Sequence, residues 1–155
     1  MEQNMSQFKW DERYLQLAKH VSTWSKDPST QVGAIAVGDK GQVLSQGYNG
    51  FPRGVKDDAR YLDKDVKYRY VVHAEMNCIY NATFHGVSLN GATLYVYGLP
   101  MCNECAKAIV QVGIVRVVSP YYVEGIPEKW KVSCAHTQTL LKEVDIPYQF
   151  IKMKS

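Results

Sequence analysis

The sequence predicts an α/β fold, on three observations. Strand-like and helix-like patterns alternate through the second half, prolines and glycines punctuate them, and the first half reads as an amphipathic helix followed by a hairpin. Taken in order, Trp10, Tyr14, Leu17, Ala18, Val21 and Trp24 recur at three- and four-residue spacing, which predicts a helix over Trp10 to Trp24. Ser25-Lys26-Asp27-Pro28-Ser29-Thr30 breaks it, because proline and short polar residues favour a loop. Val32 to Val37 is a small, apolar run that predicts a buried strand. Gly38 to Gly41 turns the chain, and Gln42 to Tyr48 returns as the second strand of a hairpin. Asn49-Gly50-Phe51-Pro52-Arg53-Gly54 suits a shaped loop whose backbone approaches a ligand. The charged segment Val55 to Tyr70 reads as a loop with a helical turn over a site.

The rest of the chain carries the alternation. A helix runs from His73 to about Phe84 and stops at Gly86; Thr93 to Tyr97 is a strand. Cys102 to Val112 is a helix with Pro100 just before its first turn and Gly113 as its stop, and Ile114 to Val118 is a strand. Trp130 to about Val144 closes the helices, and Tyr148 to Ile151 is a final strand. No repeat, low-complexity tract or linker divides the chain, so 1–155 is expected to be a single domain.

Composition excludes several classes. The 155 residues are 46% apolar and 21% charged, as in an ordinary soluble domain. Eighteen basic against fifteen acidic residues give a net charge of +3, and acidic residues interrupt the basic ones between Arg53 and Arg69. No basic stripe forms for nucleic acid, and none is expected as a partner. Met1 to Lys9 is polar, and no apolar run approaches the roughly 18 residues of a membrane span. Four cysteines do not make a disulfide framework, and a C-x-x-C pair in such a chain points to metal or redox work. A cytoplasmic protein is expected.

The chemistry concentrates in Val71-Val72-His73-Ala74-Glu75-Met76-Asn77 and Pro100-Met101-Cys102-Asn103-Glu104-Cys105. His73, Cys102 and Cys105 supply one imidazole and two thiols, a set that suits one zinc ion per chain with its fourth position open. Helix N-termini favour thiolates, the form that binds zinc, and the i, i+3 spacing puts both sulfurs on one side of a turn. Glu75 stands two residues from His73, off its helical face, so it is expected to serve as proton shuttle for the water in the open position and not as a ligand. A C-x-x-C can also be a redox pair, but that motif sits near the first βα turn of its fold and this one falls late. It can be half of a structural zinc knuckle, but Cys78 and Cys134 do not form the second pair. Cys78 reads as a buried small side chain; His20, His85 and His136 read as ordinary histidines. H-x-E with P-C-x-x-C is the pattern of the zinc nucleobase deaminases, although here the proline stands one residue early.

Trp24 to Ala34, Gly47-Tyr48-Asn49-Gly50-Phe51-Pro52-Arg53-Gly54 and the two metal motifs together resemble the deoxycytidylate branch of the cytidine and deoxycytidylate deaminase superfamily over nearly the whole length. That resemblance implies a three-layer αβα fold around a central mixed five-stranded sheet. It implies hydrolysis of dCMP to dUMP and ammonia, a step in dTTP precursor supply, by a homo-oligomer that is usually a hexamer. It also implies that Asn49 bonds the sugar and that groups near Ala74, with Glu75, read the pyrimidine edge. Lys26 and Arg53 are expected at the phosphate by charge and loop position; Asn77 is expected at the substrate or as a brace for its helix. Two enzyme alternatives are a deaminase of another cytosine nucleoside or nucleotide and an editor of adenosine in tRNA. The mildly basic end, Asp145 to Lys154, argues against the editor. The non-enzyme alternative is a catalytically silent nucleotide-binding module, against which Glu75 stands beside all three ligands.

Overall fold

A computed structural model describes residues 2–122 and 126–154. Met1, residues 123–125 and Ser155 of the expected domain lie outside the described residues. The element order is α1 (Glu2–Ser22), β1 (Gly33–Val37), β2 (Val43–Tyr48), a 3-10 turn (Ala59–Leu62), α2 (Lys64–Tyr70), α3 (Ala74–His85), β3 (Thr93–Tyr97), α4 (Asn103–Gln111), β4 (Arg116–Pro120), α5 (Glu128–Glu143) and β5 (Tyr148–Ile151). The strands form one five-stranded sheet in the order β2-β1-β3-β4-β5. β1 pairs antiparallel with both β2 and β3, whereas β3, β4 and β5 run parallel, so the sheet is mixed as the resemblance implied. No helix among the described residues is long and apolar enough to cross a membrane.

Side-chain alternation along the strands divides the core into two layers. Ile35, Val37, Tyr95 and Val118 point to α1 and pack on Leu15, Ala18 and Val21. Ala34, Ala36, Leu94, Val96 and Val117 point the other way and meet Cys78 and Ile79 of α3, Ala106 and Ile109 of α4 and Leu141 of α5. All five residues of β1 are buried, which is why its sequence is a continuous apolar run and not an alternation.

α1 begins eight residues before the expected start. Residues 3–9 include Gln, Met and Lys, which extend an established helix at little cost once its packed half is formed. Its inward stripe also differs from the expected one. Asp11, Leu15, Ala18, Val21 and Ser22 are buried, while Trp10, Leu17 and Trp24 are exposed at their rims. The helix is rotated because Asp11 is drawn inward: Arg116 donates to its carboxylate at 2.9 Å and the Tyr95 hydroxyl at 2.6 Å.

The segment between Gly54 and His73 holds more regular structure than a loop with one turn. Asp58 accepts from the Arg60 N–H to cap the 3-10 turn, and Asp63 accepts from Asp65 and Val66 to cap α2. Two of the four aspartates in this segment, Asp58 and Asp63, are thus helix caps. α3 ends on Gly86, whose φ of 71° is the left-handed conformation a helix stop needs. α3 lies directly on β2 at Gly47, where a Cβ would run into the Ala74 carbonyl and the Cys78 amide.

Candidate active site

Both metal-binding segments reach their helices at the same position. His73 is the N-cap of α3 and Cys102 the N-cap of α4, each with extended backbone, so each side chain projects from a helix mouth. His73 Nδ1 lies 3.4 Å from Cys102 Sγ and 3.4 Å from Cys105 Sγ. The three donor atoms fall within 4.8 Å of one another, a spacing that one ion can bridge; Glu75 is not part of the cluster. Two thiols and an imidazole converging without a fourth protein ligand among the described residues fit a catalytic zinc.

The site's acidities follow from burial and contact. Burial pushes the Glu75 carboxyl up to about 7, against the pull of His73. Cys102 is held down, to about 4, first by the Cys105 thiol and then by His73, and the same contact pushes Cys105 up. His73 is raised by its contact with Cys102, although burial opposes this.

Two sets of hydrogen bonds fix this geometry. Gly50 and Val72 exchange backbone bonds at 3.1 and 2.7 Å, tying the loop after β2 to the approach to His73. Asn77 donates to the Tyr48 carbonyl at 2.8 Å and so braces α3 on β2. On the cysteine side, one face of α5 holds the loop. Trp130 Nε1 donates to the Pro100 carbonyl at 2.8 Å, Ser133 Oγ accepts from the Asn103 amide at 2.9 Å, and Thr137 Oγ1 donates to the Met101 carbonyl at 2.9 Å. Met101, the residue that displaces the proline from its expected place, is fully buried and gives its N–H to the Tyr148 hydroxyl at 3.0 Å. The extra residue is absorbed without moving the ligands apart.

A cavity of about 260 Å³ opens onto the cluster. His73, Ala74 and Glu75 line one part of it, Leu99, Pro100, Pro127 and Trp130 give an apolar wall, and Asp27, Thr30, Asn49 and Lys67 a polar one. Asn49, the residue expected at the sugar, belongs to this polar wall. Its Oδ1 accepts from the Val32 amide at 2.8 Å and its Nδ2 donates to the Thr30 carbonyl at 2.9 Å, leaving one N–H.

Neither Lys26 nor Arg53, expected together at a phosphate, lines the cavity. The chain turns Asp27 inward, which leaves its neighbour Lys26 exposed. Arg53 is taken by the outer surface of α3, where it bonds Asn81 Oδ1 and its guanidinium lies 4.9 Å from the centre of the Phe84 ring. Sequence reasoning missed Asp27, Lys67 and Trp130 as lining residues. The 130, 133, 137 spacing on one helix face was the available signal for the α5 brace.

The description of a cytidine and deoxycytidylate deaminase zinc-binding region matches residues 8–120. A protein of Aliivibrio fischeri, described as an uncharacterized deaminase in the luxG 3′ region, is 34% identical over 145 residues, covering 94% of this chain and 95% of its own. A probable deoxycytidylate deaminase of Caenorhabditis elegans is 40% identical over 146 residues, covering 92% of this chain and 70% of its own. Among solved structures, the dCMP deaminase of cyanophage S-TIM5 in complex with dCMP and dUMP shares the fold, with a TM-score of 0.75 and 24% identity over 90% of this chain and 95% of that one. The matched region takes in both helix mouths, their three zinc donors and the buried carboxylate between them, and this chain belongs to the cytidine and deoxycytidylate deaminase family.

Proposed function

We propose that this protein hydrolyses dCMP to dUMP and ammonia. The observation that carries the reading is Glu75: a buried carboxyl raised to about 7, in the same cavity as His73 and outside the ligand cluster. A zinc ion on His73, Cys102 and Cys105 supplies, when bound, an acidified water at neutral pH. Glu75 would accept a proton from the attacking water and return one to the exocyclic nitrogen as the C4–N bond of the cytosine breaks and ammonia leaves. The apolar wall of Leu99, Pro100 and Trp130 limits water around the base.

The relatives named above favour the deoxycytidylate over the bare nucleoside. Of the two expected phosphate contacts, Lys26 stays a candidate, because it is exposed beside the cavity-lining Asp27. Arg53 is engaged elsewhere. Ammonia release from cytidine, deoxycytidine, CMP and dCMP tests the assignment: dCMP is expected to have the highest kcat/KM, and a preference for either nucleoside would overturn it.

We also infer that the enzyme self-associates, as a hexamer by resemblance, through the outer face of α3. Tyr80 and Phe84 are 50% and 71% exposed there, beside the edge strand β2. Sedimentation of the parent and of Phe84→Asp tests this; a monomeric parent would refute it. The cysteines are all free thiols, which suits a reducing, cytoplasmic compartment. A net charge of +3 gives no support for nucleic acid as a partner.

A further inference from the structure

The cavity wall contains an ion pair that the deamination chemistry does not use. Lys67 Nζ of α2 lies 3.2 Å from Asp27 Oδ2, with the two side chains 6% and 2% exposed. The rest of Asp27 is occupied: its Oδ1 accepts from the Ser29 amide at 2.9 Å, the Ser29 hydroxyl at 3.0 Å and the Thr30 amide at 3.3 Å. Lys67 makes one more bond, to Ser29 Oγ at 3.1 Å. An ammonium carries three donors and a carboxylate oxygen takes more than one, so each partner keeps a bonding position, and both residues line the cavity. A buried pair of this kind adds little stability over apolar packing, so stability does not account for it.

We propose that Asp27 and Lys67 together read a sugar hydroxyl of the substrate. The inference rests on the dCMP reading above. With the reacting carbon at the metal cluster and Glu75, the polar lining left for the sugar is Asp27, Thr30, Asn49, Lys67 and Tyr68, of which Asp27 and Lys67 form the one buried ion pair among the described residues. Asn49 offers one free N–H, while its oxygen already accepts from the Val32 amide. A hydroxyl also needs an acceptor, and Asp27 Oδ2 supplies one next to a second donor on Lys67. The pair is neutral overall and offers one of each. That matches a hydroxyl, which gives one hydrogen and takes another. It does not match a phosphate, which Lys67 would attract and Asp27 repel.

The test compares dCMP with 2′,3′-dideoxycytidine 5′-monophosphate, which keeps the base and the phosphate and lacks the hydroxyl. The parent is expected to favour dCMP by about ten- to a hundred-fold in kcat/KM, the range of a charge-assisted hydrogen bond. In the double variant Asp27→Asn, Lys67→Met, which leaves no unpaired buried charge, the preference should shrink to a few-fold with dideoxy turnover near the parent's. Zinc content and thermal midpoint are read alongside. A parent that treats the two nucleotides alike overturns the inference without any variant, and leaves the dCMP reading standing. A folded, zinc-loaded variant that keeps the parent's preference overturns it too, as does one that loses both substrates equally. A double variant that does not fold is replaced by Lys67→Met alone, in which the preference is expected to shrink with dideoxy turnover near the parent's; a kept preference or an equal loss on both substrates refutes the reading. A parent inactive on dCMP removes the dCMP reading, and the inference falls with it.

Discussion

In the proposed reaction Glu75 gives and takes protons from a position 4% exposed, two residues from His73 and lining the same cavity. An amide of the same shape can do neither. Glu75→Gln is expected to keep the fold and the zinc while kcat falls by about 10²- to 10⁴-fold, the usual worth of a positioned acid–base group. Turnover within a few-fold of the parent, at equal zinc content, would remove Glu75 from the mechanism. The two cations outside the cavity separate at the same scale. Lys26→Ala should lower kcat/KM for dCMP about ten-fold or more and leave deoxycytidine nearly untouched, as expected for one lost charge-assisted bond to phosphate. Arg53→Ala should leave the ratio of the two substrates unchanged, because its guanidinium is held by Asn81 and Phe84. A changed ratio in Arg53→Ala would return that residue to the substrate.

Among the elements, α5 has the least obvious task. It holds no ligand, yet Trp130, Ser133 and Thr137 fasten the loop that presents Cys102. Thr137→Val keeps the volume and removes the donor to the Met101 carbonyl. It is expected to cost about 1–3 kcal/mol in stability and to weaken zinc retention about ten-fold, as the loss of groups behind metal ligands does. Chelator competition and thermal melting check both, with Cys105→Ser, which loses a ligand outright, as the reference for full zinc loss. β3 and β5 were legible to the residue because strongly apolar or aromatic runs end at turn residues. The His73, Cys102 and Cys105 cluster was legible because metal chemistry restricts residue type and spacing together. The brace was not, since serine, threonine and tryptophan on a helix carry no such restriction. The outward turn of Arg53 was not legible either, because two loops at one end of a hairpin need not face the same way. Lys67 was hidden for a related reason: its acidic partner lies 40 positions earlier, and only the fold brings them together.

Across the whole molecule, Asp11 and Arg116 join the layer of α1 to β4. Burial would raise the Asp11 carboxyl, but hydrogen bonds from Arg116, Tyr95 and Gln7 outweigh it and hold the group below its ordinary value. A carboxyl lowered on folding adds stability above its unfolded value of about 3.9, and loses it as the pH falls through the folded value. Asp11→Asn leaves Arg116 without its counter-charge and is expected to cost about 3 kcal/mol at pH 7. The gap between variant and parent should narrow only below about pH 4. Urea unfolding of both proteins at pH 7 and pH 3 measures it; an equal gap at the two values would mean that the carboxylate's charge is not what ties these layers together.

The contact of α3 with β2 at Gly47 bears on heredity more than on chemistry. Any side chain at that position would meet the Ala74 carbonyl and the Cys78 amide, and would lift the helix that carries Glu75 and begins at His73. In a screen for loss-of-function alleles, changes at residue 47 should therefore appear alongside those at 73, 75, 102 and 105. A geneticist mapping the activity would count among its determinants a residue that does not line the cavity and has no side chain at all.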